Sequence, residues 1–418
     1  MPLGGSVPAM VIAAFVAPYL LEATARFALS AARLPDVRLG LITTEPAANV
    51  SPDLRDALAG HWQVADALDP QQIADAVRGL SAQLGPVERL VGALEQLQVP
   101  LAMVREALGI PGMDTETAHN VRDKSRMKSV LQSAGIPCAR HQLVARTEEA
   151  TQFLAEVGLP LVAKPPAGAG AQATYRLDTA ADFASWLEAA RADPGEIWLL
   201  EEFLTGREHS FDSVTIDGQT IWSSISDYEP PPLEVLRTPW VQWTVVLPKD
   251  IDGGEYDAIK RIGPAALRAL GIQTAFTHME WFERPDGSVA VSEVGARPPG
   301  AQLASMIGFS HDVDFYSRWA ELVVHDRFDR PERRYATGTA YLRGQGRGRV
   351  RMVHGVEEVQ RDIGHLVVDA RLPQPGQPAS TSYEGEGFVT VRHDDTAVVR
   401  AALHRIITGL RVELMEAP

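Results

Sequence analysis

Short apolar runs alternate with amphipathic stretches over the first hundred residues. Ala9 to Val16, Val37 to Thr43 and Val87 to Ala93 are apolar runs of strand length. Helical spacing occupies Pro18 to about Arg33, closed by Pro35-Asp36, then Pro70 to Leu84 and Glu95 to Leu108. Buried strands alternating with helices predict an α/β layer structure with a parallel sheet, ending near residue 115. The first strand is not followed by G-x-G-x-x-G, so the dinucleotide fingerprint is absent.

From Asp114 the pattern changes. Asp114 or Thr115 caps a helix running to about Ala134, which carries the dense cluster Arg122-Asp123-Lys124-Ser125-Arg126-Met127-Lys128. Taken alone, that cluster reads as a solvated helix face, with Asp123 pairing Lys124 or its neighbours. Leu159 to Pro166 is a short apolar strand with one lysine, Lys164, stopped by two prolines. The small residues Ala167 to Gln172 then form a loop whose backbone N–H groups can approach an anion. Thr179 to Arg191 reads as a helix and Ile197 to Phe203 as a strand. Alternating strand residues run on to Val214, ahead of a hairpin turn at Asp217-Gly218. Residues 228–248, rich in proline and carrying Trp240 and Trp243, read as an irregular loop with exposed aromatics.

Phe276 to Glu283 and Ser288 to Val294 flank Pro285-Asp286-Gly287 and predict a β-hairpin. A turn centred on Asp286-Gly287 sets Glu280 directly opposite Glu293, with Cβ atoms about 4.5–5.5 Å apart. Like charges in that position repel, so a cation between them is expected, and paired carboxylates with phosphate oxygens are how Mg²⁺ is usually held. Strand periodicity adds Gly295 and Arg297 to the same side. A solvated hairpin with both glutamates in water is the alternative for this stretch alone. Beyond it, Pro299 to Met306 and Val313 to Val324 look helical. Strands follow at Thr337 to Arg343, Arg349 to His354, Gly364 to Arg371 and Gly387 to Arg392, before an amphipathic helix from Thr396 to Gly409.

Composition narrows the function classes. The 418 residues suffice for two or three domains, and 45% hydrophobic with 22% charged content is ordinary for a globular protein. Cys138 is the sole cysteine, which excludes an intramolecular disulfide and a cysteine zinc cluster and fits a cytoplasmic protein. A net charge of -15 argues against generic nucleic-acid or anionic-membrane partners. The apolar run Met10 to Leu21 is too short to span a bilayer and lacks a basic flank.

The order of these pieces resembles the ATP-grasp superfamily over essentially the whole chain. The matching stretches are Arg122-Asp123-Lys124, Val162-Ala163-Lys164-Pro165, the loop Gly168 to Gln172, Glu201-Glu202-Phe203-Leu204-x-Gly206-x-Glu208, His278-x-Glu280 and Glu293-x-Gly295-x-Arg297-Pro298-x-Gly300. Length and the Glu-x-Gly-x-Arg ending look most like the L-amino-acid ligase (dipeptide synthetase) branch. The resemblance implies an ATP-grasp fold, α/β and α+β. Its parts are a Rossmann-like preATP-grasp domain (1–115), a small clamp domain (116–205) and a larger antiparallel-sheet catalytic domain (206–418) with a C-terminal α+β subdomain from about 330.

It implies further that the chain is an ATP-dependent carboxylate–amine ligase acting through an acyl phosphate. The cofactors implied are ATP and one or two Mg²⁺, with Mn²⁺ able to substitute. Amino-acid substrates and a homodimer are also implied. Lys124 and Lys164 would neutralise phosphates, with Gly168, Gly170, Ala171 and Gln172 covering them. Glu201, Glu202, Phe203 and Leu204 would form the adenine hinge, and Glu208 would bind the ribose. Glu280 and Glu293 would hold Mg²⁺, and Arg297 would act with Lys164 in catalysis. Glu229, Trp240, Trp243, His278, Gly300 and Gln302 are candidates for the substrate pocket, and His209, His278 and Asp227 for the general base. Most members carry Asn where this chain has Gly295, which removes one metal oxygen. Two other readings remain: a carboxylase acting through carboxyphosphate, and a catalytically silent nucleotide-binding regulator.

Overall fold

The computed structural model describes residues 10–166, 174–191, 197–238 and 241–415. A four-stranded parallel sheet opens the chain, in the order Gly60–Gln63, Val37–Thr43, Val11–Ala17, Arg89–Val91. Ala13 to Ala17 are wholly buried, as a strand covered on both faces must be. The first helix, Glu22–Ala32, starts later than Pro18 suggests.

Two helices, Thr115–Arg122 and Lys124–Ser133, replace the single one that the pattern predicts. The carboxylate of Asp123 breaks the run by accepting from the backbone N–H groups of Ser125 and Arg126. An aspartate that caps in mid-run competes with the helix and restarts it. Lys124 therefore begins a new helix.

A second sheet, antiparallel, has the order His141–Val144, Trp198–Glu202, Leu161–Lys164, Tyr175–Leu177. The expected phosphate loop at Gly168 to Gln172 lies outside the described residues, as does Trp240.

An eight-stranded antiparallel sheet forms the floor of the molecule. Its order is Val289–Gly295, Ala275–Glu283, Arg207–Ile216, Gln219–Glu229, Trp243–Leu247, Ala336–Leu342, Gly387–His393, Val367–Arg371. Most of the expected loop at 228–248 is regular structure: a short helix, Pro232–Arg237, and an interior strand, Trp243–Leu247. That strand is buried throughout and paired on both sides, so no polar alternation marks it. One face of the sheet near the hairpin packs on the helix Asp257–Leu270 and the pair 115–133, around Phe211, Met279 and Trp281. No described helix is long and apolar enough to cross a membrane.

Gly206 joins the second sheet to the third. Its φ is +149°, and a Cβ there would lie 2.1 Å from the carbonyl oxygen of Glu283. Gly206→Ala is expected to cost ~1–3 kcal/mol, read as a lowered denaturant midpoint. An unchanged midpoint would mean that the backbone relaxes freely here.

Candidate active site

The central hairpin places its two glutamates opposite each other by a route the sequence hides. Its connection is a three-residue loop with Gly287 left-handed at φ 78°, so the ladder near the turn pairs Glu283 with Val289 and Trp281 with Val291. Continued regularly, that register would set Ser292 against Glu280 and turn Glu293 to the other face. A β-bulge at this point restores Glu280 opposite Glu293 and His278 opposite Gly295.

His278, Glu280, Ser292 and Glu293 of the hairpin line a cleft of about 410 Å³. Lys124, from the restarted helix, donates to Glu293 Oε1 at 2.7 Å. Lys164, from the second sheet, contacts Glu201 Oε2 at 2.8 Å. Burial works against ionisation of Glu293, but Lys124 and Lys164 outweigh it and hold the carboxyl down to about 2. Burial likewise disfavours a charged Lys164, and Glu201 and Glu293 reverse that, raising its pKa. Glu208 shows the opposite balance: burial and then Glu280 push its carboxyl well up. The cleft thus sets carboxylates of unequal acidity beside a lysine, Lys164, whose charged form they favour.

Glu201, Glu202, Phe203 and Leu204 all line the cleft, as do Glu208, His278 and Gly300. The Glu201 side chain turns to the lysines, and Glu202 pairs with Arg140 at 3.1 Å. The Phe203 ring carries the Arg176 guanidinium 4.1 Å from its centroid. Trp243 borders the cleft but is 2% exposed, stacked on Tyr341. Glu229 does not reach the site: it pairs with Arg400 from the last long helix. Gln302 is not among the lining residues; it precedes the helix Leu303–His311 with φ +61°.

The general-base candidates are corrected. His209 is buried outside the cleft, stacked on Trp281, with Nδ1 2.9 Å from Asp227. Asp227 is spent on His209, Tyr256 and Arg400. His278 does line the cleft, with Nδ1 2.7 Å from the buried carboxylate of Asp212. Burial would lower its pKa, yet Asp212 outweighs that and raises it to about 9. Its Nδ1 is thus engaged by Asp212, a pairing that disfavours the neutral ring a general base needs.

Glu95 was not legible in the sequence. It is buried, it comes from the first unit, and its Oε2 accepts from Arg297 Nε at 2.6 Å. A Cβ on Gly295 would lie 2.9 Å from that same oxygen. The carboxylate of Glu95 therefore takes space that a side chain at 295 would contest. Tyr383, from the C-terminal tail, also lines the cleft, although the tail carried no candidate chemistry.

Glu280 and Glu293 offer the hard oxygen donors that Mg²⁺ prefers. Among the described residues no three His, Cys, Asp or Glu side chains gather as a ready-made metal cage. Two carboxylates beside two lysines fit a metal whose remaining ligands are phosphate oxygens and water.

No family model matches the chain. It is 26% identical over 316 residues to the uncharacterized protein y4rH of Sinorhizobium fredii, across 73% of this chain and 63% of that protein. The matched stretch is thus less than two thirds of that relative. It is 24% identical over 300 residues to an L-arginine-specific L-amino acid ligase of Bacillus subtilis, across 68% of this chain and 70% of that protein. Among solved structures, an L-amino acid ligase from Bacillus licheniformis superposes with a TM-score of 0.78 at 20% identity, over 98% of this chain and 100% of that one. That likeness shows a shared fold.

Proposed function

We infer that the chain is an ATP-grasp protein, and within that superfamily an ATP-dependent ligase joining the carboxylate of one amino-acid-like substrate to the amine of another; its likeness to L-amino acid ligases supports this reading. The observation that carries the reading is the cleft itself: opposed Glu280 and Glu293, with Lys124, Lys164 and Arg297 around them. A carboxylate is a poor electrophile and needs a leaving group before an amine can displace it. Its oxygen attacks the γ-phosphorus of ATP, the bond to the β-phosphate oxygen breaks, and ADP leaves an acyl phosphate. The amine then attacks the acyl carbon, phosphate departs with the C–O electron pair and takes up the proton that the nitrogen loses, and the amide remains.

In this reading the protein supplies position and charge, which is most of what phosphoryl transfer requires. Lys124 and Lys164 neutralise phosphate oxygens, and the backbone of Glu201 to Leu204 holds the adenine. Glu208 hydrogen-bonds the ribose. Glu280 and Glu293 would hold Mg²⁺, which offsets the charge of the phosphates when bound. Arg297, fixed by Glu95, faces the charge that develops on the acyl carbon's oxygen. The division into units 1–115, 116–205 and 206–418 belongs to the same reading. So do a homodimer, a cytoplasmic location and Mn²⁺ as a substitute metal, Mn²⁺ sharing the preference for oxygen ligands.

The test is turnover with pairs of free amino acids, with ADP, phosphate and products followed by mass spectrometry. At least one pair is expected to yield ADP, phosphate and an amide in equal amounts. ADP release that depends on bicarbonate and yields no amide would overturn the reading.

A further inference from the structure

The bulge at Ser292 decides which residue faces Glu280, and a bulge leaves backbone groups without ladder partners. The restarted helix supplies those partners. Lys124, Met127 and Lys128 stand at helical spacing on one face. Lys124 takes the Glu293 carboxylate, Met127 Sδ accepts from the Val294 N–H at 3.3 Å, and Lys128 Nζ donates to the Ser292 carbonyl at 2.5 Å. Three consecutive strand residues are thus held by one helix face.

Lys128 is the member without a place in the reaction. Its side chain is 0% exposed, so it touches no substrate. It also pairs with Glu201 Oε1 at 3.3 Å, a longer contact than its bond to the Ser292 carbonyl. The shortest bond of the Lys128 ammonium therefore goes to the bulge. A buried ammonium is costly to keep, and a structural filler of this size would be apolar.

We propose that Lys128 is a positioning residue that holds the Ser292 bulge, and so keeps Glu293, rather than Ser292, opposite Glu280. The inference rests on the reading of Glu280 and Glu293 as the metal-binding pair. Without the Lys128 bond the ladder can slip to its regular register, which turns Glu293 away from the cleft. Deleting Ser292 removes the extra residue, so the regular ladder then pairs Glu293 with Glu280 unaided. Lys128 becomes dispensable in that background.

The test compares ADP affinity with and without Mg²⁺, by calorimetry, in Lys128→Met, in Lys128→Met with Ser292 deleted, and in Glu293→Gln. Lys128→Met is expected to bind metal-free ADP as the wild type does, and to lose ~10- to 100-fold of the Mg²⁺-dependent gain. The double variant is expected to recover that gain, including the case in which Lys128→Met alone does not fold. A wild-type gain in Lys128→Met overturns the inference. A double variant that does not fold, or that keeps the loss, also overturns it, because Lys128 then serves more than the bulge. Glu293→Gln separates the two levels. If it too retains the full gain, the metal-pair reading fails and takes the inference with it; if it alone loses the gain, only the inference fails.

Discussion

Replacing Glu280 or Glu293 by Gln is expected to lower ATP turnover by at least ~100-fold, measured as ADP release at saturating Mg²⁺. Each carboxylate lies where a metal between protein and phosphates would need an anionic oxygen, and an amide supplies no charge. The two variants should nevertheless differ in stability. Glu293 is the partner of Lys124, which is itself 7% exposed. An amide there leaves a buried ammonium without its counter-charge, a loss of roughly 3–5 kcal/mol for a buried pair. Glu280 is a third exposed, and its nearest cation is His278 at 3.9 Å, so Glu280→Gln should unfold at the wild-type denaturant concentration. Turnover at the wild-type rate in either variant would defeat the metal assignment. Equal stability of the two would defeat the account of Lys124.

Glu201→Gln should destabilise the protein by about 3–5 kcal/mol. Glu201 lies between two ammonium groups, Lys164 at 2.8 Å and Lys128 at 3.3 Å, and its own side chain is 6% exposed. Burial opposes its ionisation, but the two lysines prevail and lower its pKa. The sign of the pH dependence follows. With a folded pKa below the unfolded value near 4.5, the contribution is fully present above pH 4.5 and is lost as pH falls through the folded value. Denaturant titrations of wild type and Glu201→Gln should therefore converge on acidification. The neighbouring Glu202→Gln removes only a partly exposed pair with Arg140, worth less than about 1 kcal/mol. A Glu201 variant no less stable than the Glu202 one would show that the buried triad carries no net stabilisation.

The opposition of Glu280 and Glu293 was legible from turn chemistry, although by compensation. The loop has one residue more than a two-residue turn, and the bulge at Ser292 cancels the offset. Nothing local marks that bulge, because its partners sit on a helix 164 residues earlier in the chain. Lys164 stood out as the one lysine of a short apolar strand, whereas Lys124 was one member of a basic cluster that could equally have faced water. Glu95 did not stand out, since one glutamate ahead of a helix is unremarkable until Arg297, 202 residues on, is folded against it. The helix Asp257–Leu270 has no counterpart in the sequence reading because Gly263-Pro264 in its middle imitates a break. Gly263 is there for packing: a Cβ would lie 2.9 Å from the Phe211 ring. Within the large sheet, Trp243–Leu247 was hidden by being buried on both faces, and the register of strands distant in sequence follows from tertiary pairing alone.

The most direct test of the central claim is to trap the activated acid. Purified protein, Mg·ATP, hydroxylamine and single free amino acids are scored for hydroxamate and ADP, so that hydroxylamine stands in for the unknown amine. The account predicts hydroxamate from at least one amino acid, equimolar with ADP and absent in Glu280→Gln. ADP release stimulated by an amino acid without hydroxamate would contradict an acyl phosphate in this cleft.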